Sequence, residues 1–436
     1  MKQSEFKKRR KKLMQTIGYG NIAIIASADM RIRNRDVHYP FRQDSDFYYL
    51  TGFNEADALA VFIPGRAQGE YILFCREFDP KKALWEGAHA GLDGAVKKYE
   101  ADDAFPIDDL DDILPGMLEN KGKVYYPMGR NSDLDHNLLI WLNDIRGQSR
   151  SGITAPNELV SLEHILHEMR LIKTDAEVQL LRKAAEVSAQ GHLKIMQQVR
   201  AGHFEYQVEA DLVHTFMQNG LRAVAYPSIV AGGKNACVLH YTENKDRLKS
   251  GDLLLVDAGA ECDHYAADIT RTFPVSGRFS EAQRELYQLV LDAQLAALDR
   301  IKPGLAWNLA HDAAVEVITK GLVKLGLLKG RVPTLIKNEK YKEFFMHRIG
   351  HWLGMDVHDV GAYKIENEWR LLQAGMVLTV EPGLYIPEDC KQVDAKWRGI
   401  GIRIEDDVLV TADGYEVLTH GVPKTIADIE RVMQAA

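Results

Sequence analysis

Four acidic residues end or follow apolar runs in the second half of the chain, which makes them candidates for chemistry. Asp257 ends the run 253–256, and Asp268 comes eleven residues later in a second strand-like segment. Glu381 ends another apolar run, and Glu405 follows a short segment of alternating glycine and isoleucine. Burying an unpaired carboxylate is costly, so each of these acids needs an ionic partner or a metal ion.

Spacing alone leaves simpler explanations for these acids. Asp257 and Asp268 could belong to a β-hairpin, with one acid in the turn and the other in a salt bridge with Arg271. Glu405 could pair with Arg403, because residues two apart point to the same face of a strand. The acids by themselves therefore do not separate an ion-pair network from a metal site.

Three histidines lie between the two pairs of acids, within the twelve residues from His347 to His358. His347 and His351 have the i, i+4 spacing of a helical zinc pair, but Arg348 stands where the HExxH motif requires glutamate. A single histidine is usually structural, whereas this cluster, with glycines between its members, favours a functional site. His240 is ambiguous by itself.

Four carboxylates and an imidazole suit a pair of hard divalent cations. Carboxylate-rich sites favour manganese or magnesium, and imidazole also admits zinc, cobalt or iron. Two such ions a few Å apart can share a hydroxide and polarise a carbonyl group. The pattern therefore indicates metal-dependent hydrolysis.

The composition excludes several other classes. The chain has 436 residues, 46% hydrophobic and 27% charged, with a net charge of −8, which is unlike a nucleic-acid-binding protein. Its four cysteines show no CxxC spacing, so we expect reduced thiols and a cytoplasmic protein. The basic stretch 7–12 lacks the apolar run of a signal peptide and is predicted to be the solvated face of a first helix. No segment is apolar enough to span a bilayer.

Periodicity predicts an α+β protein with two domains, 1–170 and 171–436. The first is predicted to be an α/β domain with strands at 22–26, 58–63, 71–75 and 124–127, and with a surface loop near 102–112. The second begins at a capping box, in which Thr174 and Glu177 satisfy free backbone groups, and Ser280 with Gln283 forms another. Each box is followed by two predicted helices and then by strands. After the first box the predicted helices are 175–199 and 206–219, and the strands 225–231, 253–259 and 264–273. After the second box the predicted helices are 280–301 and 307–325, and the strands 375–381 and 400–410. This order indicates a weak internal duplication.

At this point the residues resemble a known family. The five predicted ligands match, in order and context, those of the pita-bread metallopeptidases, and the chain is most similar to aminopeptidase P, the Xaa-Pro aminopeptidases. Residues 39–53, 239–244 and 351–361 are long, specific strings that carry this resemblance, which extends over essentially the whole chain. It implies an N-terminal α/β domain followed by a pita-bread catalytic domain.

The resemblance also implies a mechanism: hydrolysis of the bond between a peptide's first residue and a proline in second position. Two divalent ions, manganese by preference and zinc, cobalt or magnesium as alternatives, would be held by Asp257, Asp268, His351, Glu381 and Glu405. Asp268 and Glu405 would bridge the ions, Asp257 would complete one site, and His351 with Glu381 the other. A bridging hydroxide would attack the scissile carbonyl, with Glu381 as general base.

The remaining implied roles concern the substrate and the assembly. His240 and His358 would hold the carbonyl and the developing charge. His347 would line the proline pocket, and Tyr385 and Arg403 would support the metal ligands. The N-terminal domain would shape the cleft and build a homotetramer, in which Trp85 enters a neighbouring subunit's site.

The sequence departs from the family pattern in two places. His89 stands where the family often has arginine, which puts the support of Trp85 in question, and Arg348 and Gly350 differ from close relatives. Prolidase, which cuts dipeptides ending in proline, shares the fold and ligands, and some relatives also hydrolyse organophosphates. Methionine aminopeptidase has the second domain only, and creatinase-like members lack the metal ligands. A non-catalytic peptide-binding protein of this fold would have lost ligands, which this chain retains.

Overall fold

The chain folds into two compact units that divide between Met169 and Arg170. The structure is a computed structural model that describes residues 1–435. The helices are α1 Gln3–Ile17, α2 Ser45–Thr51, α3 Pro80–Glu86, α4 Gly91–Lys97, α5 Leu110–Leu118, α6 Ser132–Gly147, α7 Glu163–Leu171, α8 Asp175–Gln198, α9 Glu205–Gln218, α10 Glu281–Leu298, α11 Asn308–Lys324, α12 Val332–Lys337 and α13 Ile426–Gln434.

Twenty-one strands lie between these helices in the described residues. They are β1 Ile22–Ala26, β2 Ile32–Asn34, β3 Val37–His38, β4 Leu59–Phe62, β5 Tyr71–Cys75, β6 Asp103–Pro106, β7 Lys123–Tyr126, β8 Glu158–Ser161, β9 Ala223–Val224, β10 Ile229–Gly232, β11 Leu253–Asp257, β12 Ala260–Cys262, β13 Tyr265–Ala266, β14 Thr270–Pro274, β15 Lys364–Ile365, β16 Glu368–Trp369, β17 Val377–Val380, β18 Gly383–Ile386, β19 Ile400–Arg403, β20 Asp406–Val410 and β21 Tyr415–Val417.

The first unit is built on a six-stranded mixed sheet in the order β6-β5-β4-β1-β7-β8. Strands β1, β4 and β5 are almost wholly buried, as expected for apolar runs covered on both faces. The predicted loop near residues 102–112 is wrong, because 103–106 form the edge strand β6, parallel to β5. Phe105 and Ile107 pack against the core, which explains why this acidic segment is ordered.

The basic first helix is only partly solvated, which corrects the prediction. Arg9 and Arg10 are 5% and 3% exposed, and the guanidinium of Arg9 lies 4.0 Å from the ring centroid of Tyr49. Arg10 lies 4.4 Å from the ring of Tyr71. Both arginines donate to backbone carbonyls near the end of α2, so their charges are buried with partners.

The second unit places helices around several small antiparallel sheets. The acid-bearing strand ends belong to three of these sheets. Two have three strands, β10-β11-β14 and β17-β20-β21, and the third is the pair β18-β19. Both predicted capping boxes are present, with the backbone N–H of Thr174 donating to Glu177 over 2.9 Å and that of Ser280 to Gln283 over 2.9 Å. They begin α8 and α10, which pack against α9 and α11 respectively. Within the described part of the chain, no helix combines the length and apolar character that a membrane crossing requires.

Candidate active site

A cavity of about 540 Å³ opens in the second unit, and the predicted chemical residues gather in its wall. Asp257, Asp268, Glu381 and Glu405 all line it. So do the four histidines singled out from the sequence: His240, His347, His351 and His358. The structure therefore brings together residues that are up to 165 positions apart in the chain.

The acids lie where strands end. Asp257 is the last residue of β11 and is opposite Thr270 in β14, while Asp268 lies two residues before that strand begins. Glu381 follows β17, and Glu405 falls between β19 and β20. Strand ends allow a carboxylate to leave the apolar sheet and face the cavity, while the backbone behind it stays hydrogen-bonded.

The segment that carries His351 runs directly beside β17. The N–H of Thr379 donates to the His351 carbonyl over 2.9 Å, and the N–H of His351 donates to Thr379 Oγ1 over 3.0 Å. A Cβ added to Gly350 would lie 2.0 Å from the Thr379 carbonyl oxygen, so any larger residue there would push the two segments apart. Gly350 is thus required in this chain for the close approach that positions His351.

The candidate metal ligands form a tight group. Asp268, His351 and Glu405 each place one ligand atom within 4.8 Å of the others. His351 Nε2 lies 3.4 Å from Asp268 and 3.6 Å from Glu381. Asp257 joins through the Tyr226 hydroxyl, which lies 2.6 Å from Asp257 and 2.5 Å from Asp268.

The chemistry of this donor set fits divalent cations. The Nδ1–H of His351 donates to the Trp352 carbonyl over 2.9 Å, which leaves Nε2 facing the carboxylates, as in metal-binding histidines. Burial raises the pKa of Glu381 to about 7 and the pKa of Glu405 well above its ordinary value. The negative charges of the neighbouring acids add to both shifts. Bound cations would offset this repulsion and keep the carboxylates ionised.

The acids around His351 also favour a positive charge at this position. Burial disfavours its imidazolium form, but hydrogen bonding to Asp268 and the charge of Glu381 raise the pKa of His351 to about 9. A metal ion must displace this proton, so metal affinity is expected to fall as the pH is lowered.

A chain of hydrogen bonds behind the cavity wall links Asp257 to His347. Arg403, 4% exposed, donates to Asp257 over 2.6 Å and to the Tyr385 hydroxyl over 3.0 Å. The Tyr385 hydroxyl lies 2.9 Å from His347 Nε2, while the Nδ1–H of His347 donates to the Arg348 carbonyl. Burial and the nearby Arg403 charge lower the pKa of His347 to about 4, so it is neutral at physiological pH. Tyr385 is 1% exposed and contacts both Arg403 and His347.

The simpler ion-pair explanations are wrong. Arg271 pairs with Asp406 over 2.6 Å, in a completely buried contact, and not with Asp268. Arg403 pairs with Asp257, and Glu405 accepts instead from the Thr270 hydroxyl over 2.5 Å. Neither arginine therefore neutralises the Asp268–Glu405 pair directly.

The two remaining histidines stand at the cavity wall with different surroundings. The ring of His358 meets that of His351 edge-on, with centroids 4.4 Å apart. Burial and the neighbouring His351 lower the pKa of His358, which favours the neutral ring. His240 is exposed and lies in an irregular loop between β10 and β11.

Sequence reasoning missed three polar residues. Tyr226 contacts two of the acids, Thr270 bridges Glu405 and Arg403, and Asp407 accepts the backbone N–H of Asp268 over 3.1 Å. Burial raises the pKa of Asp407 well above its ordinary value, and the charge of Asp268 adds to this effect. The only sequence signal for Asp407 was its place beside Glu405 and Asp406. Tyr226 and Thr270 lay within predicted strands, and nothing in the sequence marked either as part of a site.

Trp85 lies apart from these residues in the chain, in the first unit. Its side chain on α3 is 91% exposed and is not part of the described cavity wall. His89, four residues later, lies 3.1 Å from Arg76 and 3.6 Å from Glu55, so charged side chains hold it in place.

Comparison with known proteins agrees with this geometry. Residues 179–412 match the model of metallopeptidase family M24, and residues 6–125 match that of the aminopeptidase P N-terminal domain. The Xaa-Pro aminopeptidase of Haemophilus influenzae is 43% identical over 429 residues, covering 98% of this chain and 97% of that protein.

Solved structures give the same result for the fold. The Pseudomonas aeruginosa aminopeptidase PepP superposes with a TM-score of 0.98 at 57% identity, covering 100% of this chain and 98% of that one. The zinc-substituted Escherichia coli aminopeptidase P in complex with product gives 0.97 at 42% identity, covering 100% and 99%. The predicted family and the predicted fold, an α/β domain followed by a pita-bread domain, are thus confirmed. This chain belongs to the Xaa-Pro aminopeptidases of metallopeptidase family M24.

Proposed function

We propose that this enzyme releases the first residue from peptides that carry proline in second position. The observation behind this proposal is the convergence of three buried acids, the half-buried Glu381 and His351 in one cavity, in a chain similar over its whole length to Xaa-Pro aminopeptidases. A hydrolase of peptide bonds needs both electrostatic stabilisation and a proton acceptor beside the carbonyl. The cavity wall offers both.

Two divalent ions would be held by Asp257, Asp268, His351, Glu381 and Glu405. Within this set, Asp268, His351 and Glu405 already place one ligand atom each within 4.8 Å of one another. The oxygen-rich donor set favours manganese, with zinc, cobalt and magnesium as alternatives. When bound, such ions polarise a carbonyl and lower the pKa of water, which supplies a nucleophile at neutral pH.

Glu381 is assigned the role of general base. Its carboxylate accepts a hydrogen bond from the Thr379 hydroxyl over 3.3 Å and lies 3.6 Å from His351. These two contacts hold the carboxylate at the edge of the group of acids. There it can take a proton from the attacking water and return it to the leaving proline nitrogen. One residue that moves a proton in both directions fits a peptide hydrolase.

Three histidines of the cavity wall would bind and orient the substrate. His240 and His358, on the cavity wall, would donate to the scissile carbonyl as negative charge develops on its oxygen. His347 would contact the proline ring, held in place by Tyr385 and Arg403. Because Arg403 also contacts Asp257, a single buried chain would orient both the metal ligands and the proline pocket.

The substrate class is tested by steady-state kinetics on metal-stripped protein. With manganese restored, kcat/KM for Arg-Pro-Pro is expected to exceed that for Gly-Pro by at least about tenfold, or about 1.4 kcal/mol of transition-state stabilisation. Parallel restoration with zinc, cobalt and magnesium ranks the ions, and manganese is expected to give the highest rate.

The alternatives predict different results in the same assay. A preference for Gly-Pro would make the protein a prolidase on the same metal site. Absence of metal-dependent turnover of either peptide would favour a peptide-binding protein, contrary to the proposal. Activity that survives complete metal removal would contradict the assignment of the five ligands.

The first unit is proposed to shape the cleft and to build a homotetramer. Leu84 and Trp85 on α3 are 86% and 91% exposed, and large apolar side chains so exposed often mark an interaction surface. In the tetramer, Trp85 would enter a neighbouring subunit's site and contact substrate. Analytical ultracentrifugation of the full chain checks this: a tetramer is expected, and Trp85→Ala should raise KM; a monomer with full activity would overturn it.

A cytoplasmic location is proposed from the cysteine chemistry. Cys75, Cys237, Cys262 and Cys390 are all unpaired, as is usual in a reducing compartment. Fractionation of cells that express the tagged protein tests this, and recovery outside the cytoplasmic fraction would contradict it.

A further inference from the structure

Glu205, the first residue of α9, is completely buried and accepts four hydrogen bonds. Oε1 accepts from the Gly232 N–H over 2.8 Å and the Asn235 amide over 3.0 Å. Oε2 accepts from the Tyr241 hydroxyl over 2.8 Å and the Asp246 N–H over 2.8 Å. No lysine or arginine forms a salt bridge with it in the described structure, so these neutral donors alone compensate its burial.

All four donors belong to one stretch, residues 232–246, which we call the His240 loop. It begins at the last residue of β10, leads towards β11, and after that residue has only a short 3-10 turn, Gly233–Cys237, as regular structure. Two donors precede His240 in the chain and two follow it. One of them, Tyr241, is its direct neighbour. The carboxylate therefore fixes the loop on both sides of the histidine.

Other contacts also hold parts of the loop, because Tyr241 belongs to a buried cluster against which Leu239 packs, and Asn235 donates to Asp246 over 2.9 Å. His240 is itself exposed. Asn244 anchors the far end, accepting from the Val230 N–H over 3.0 Å and donating to the Ser228 carbonyl over 2.8 Å. At the near end, the Ala236 carbonyl lies so close to Gly401 that a Cβ there would be 2.2 Å from its oxygen. Among the described residues, Glu205 accepts from both ends of the loop at one point on α9, and Glu209 on the same helix accepts from Asn244 over 2.9 Å.

From this geometry we infer that Glu205 is a positioning residue, which acts through Tyr241 and the loop backbone to hold His240 against the cavity. This inference rests on the proposed function, in which His240 donates to the scissile carbonyl. A carboxylate is needed because both oxygens must accept two bonds each, and no neutral side chain of this size offers four acceptor positions. Hydrogen bonds to an ionised acceptor are also stronger than neutral ones, which suits an anchor for an otherwise exposed residue.

The test is Glu205→Gln in the full-length, metal-loaded enzyme. Glutamine keeps the shape of the side chain but replaces one carboxylate oxygen by an NH2 group. This group cannot accept hydrogen bonds, so two donors of the loop lose their acceptor. Because a displacement of about 1 Å can cost up to about 100-fold in rate, kcat on Arg-Pro-Pro is expected to fall between about 10- and 100-fold. Bound metal, measured by elemental analysis, should be unchanged, and KM should change less than kcat.

A double-mutant cycle separates positioning from general destabilisation. His240→Ala should lower kcat, and adding Glu205→Gln to it should produce little further loss, since residues that act together are non-additive. An equal loss from Glu205→Gln in both backgrounds would overturn the inference while leaving the role of His240 intact. If His240→Ala has wild-type kcat, the proposed role of His240 fails and the inference fails with it.

Two further variants serve as controls. Val208→Ala lies one turn along α9, at a side chain 2% exposed, and should lower the melting temperature without changing kcat. If it lowers kcat as much as Glu205→Gln does, helix stability explains the effect and the inference is wrong. Should Glu205→Gln fail to fold, Tyr241→Phe removes one of the four bonds and is expected to lower kcat severalfold; an unchanged kcat there would count against the inference.

Discussion

Replacing Glu381 by alanine is expected to lower kcat on an Xaa-Pro tripeptide by about 1000-fold, within the range of about 10² to 10⁴ observed for general acid–base residues. The carboxylate lies 3.6 Å from His351 and lines the same cavity as the other acids. Its loss removes the proposed proton acceptor and one proposed metal ligand at once. Kinetics on protein saturated with manganese, with metal content measured on the same sample, provide the readout.

A second variant separates the two roles of Glu381. Glu381→Gln keeps an oxygen that can bind a metal ion but cannot accept a proton at neutral pH. It should retain more bound metal than Glu381→Ala and still lose most of kcat. The matched control is Glu368→Ala, at an exposed acid on the β15–β16 hairpin, where wild-type kinetics are expected. A Glu381→Gln enzyme with full metal and more than a third of the wild-type kcat would rule out the general-base assignment.

The acids of the site could be predicted because a carboxylate at the end of an apolar run has an unusual energetic requirement. Asp257 and Glu381 follow runs that form the buried strands β11 and β17, so each had to find a polar partner in the interior. The helices were predictable for a related reason, since the capping box at Thr174 satisfies free N–H groups and marks where α8 starts. Both signals are local in sequence.

The partners of these acids could not be predicted, because they depend on register between distant segments. Tyr226 meets Asp257 and Asp268, which follow it by 31 and 42 residues, and Thr270 meets Glu405, 135 residues away. A shift of one residue in pairing reverses the face of every side chain in a strand. For that reason spacing could not determine whether Arg271 would face Asp268 or, as in the structure, Asp406.

The first helix shows a signal that was present in the sequence and overlooked. Its buried residues, Phe6, Arg9, Arg10, Leu13 and Ile17, recur three and four positions apart and therefore form one face. Two arginines on an apolar face had to be buried with aromatic and carbonyl partners rather than solvated. Segment 102–112 differs, because its order depends on an edge of the sheet that its own composition does not indicate.

Asp359 is expected to contribute strongly to the stability of the second unit. Its side chain is 1% exposed and lies 2.6 Å from Arg170 and 2.9 Å from Lys173, which are themselves 3% and 1% exposed. Asp359→Asn would leave two buried cations without a full counter-charge, at a cost of about 3–5 kcal/mol in the free energy of unfolding. Urea denaturation followed by tryptophan fluorescence measures the loss. The control is Asp356→Asn, since that carboxylate also meets Arg170 but is 40% exposed, and a loss below about 1 kcal/mol is expected.

The pH dependence of this difference has a defined sign. Burial alone would raise the pKa of Asp359, but the charges of Lys173 and Arg170 hold it below its ordinary value. A lowered folded-state pKa gives stability that is complete above the unfolded-state value of about 3.9 and is lost as the pH falls through the folded-state value. The gap between wild type and Asp359→Asn should therefore be constant near neutral pH and shrink below about pH 4. A gap that widens on acidification, or an equal loss in Asp356→Asn, would show that the buried ion pairs of Asp359 are not what stabilises this segment.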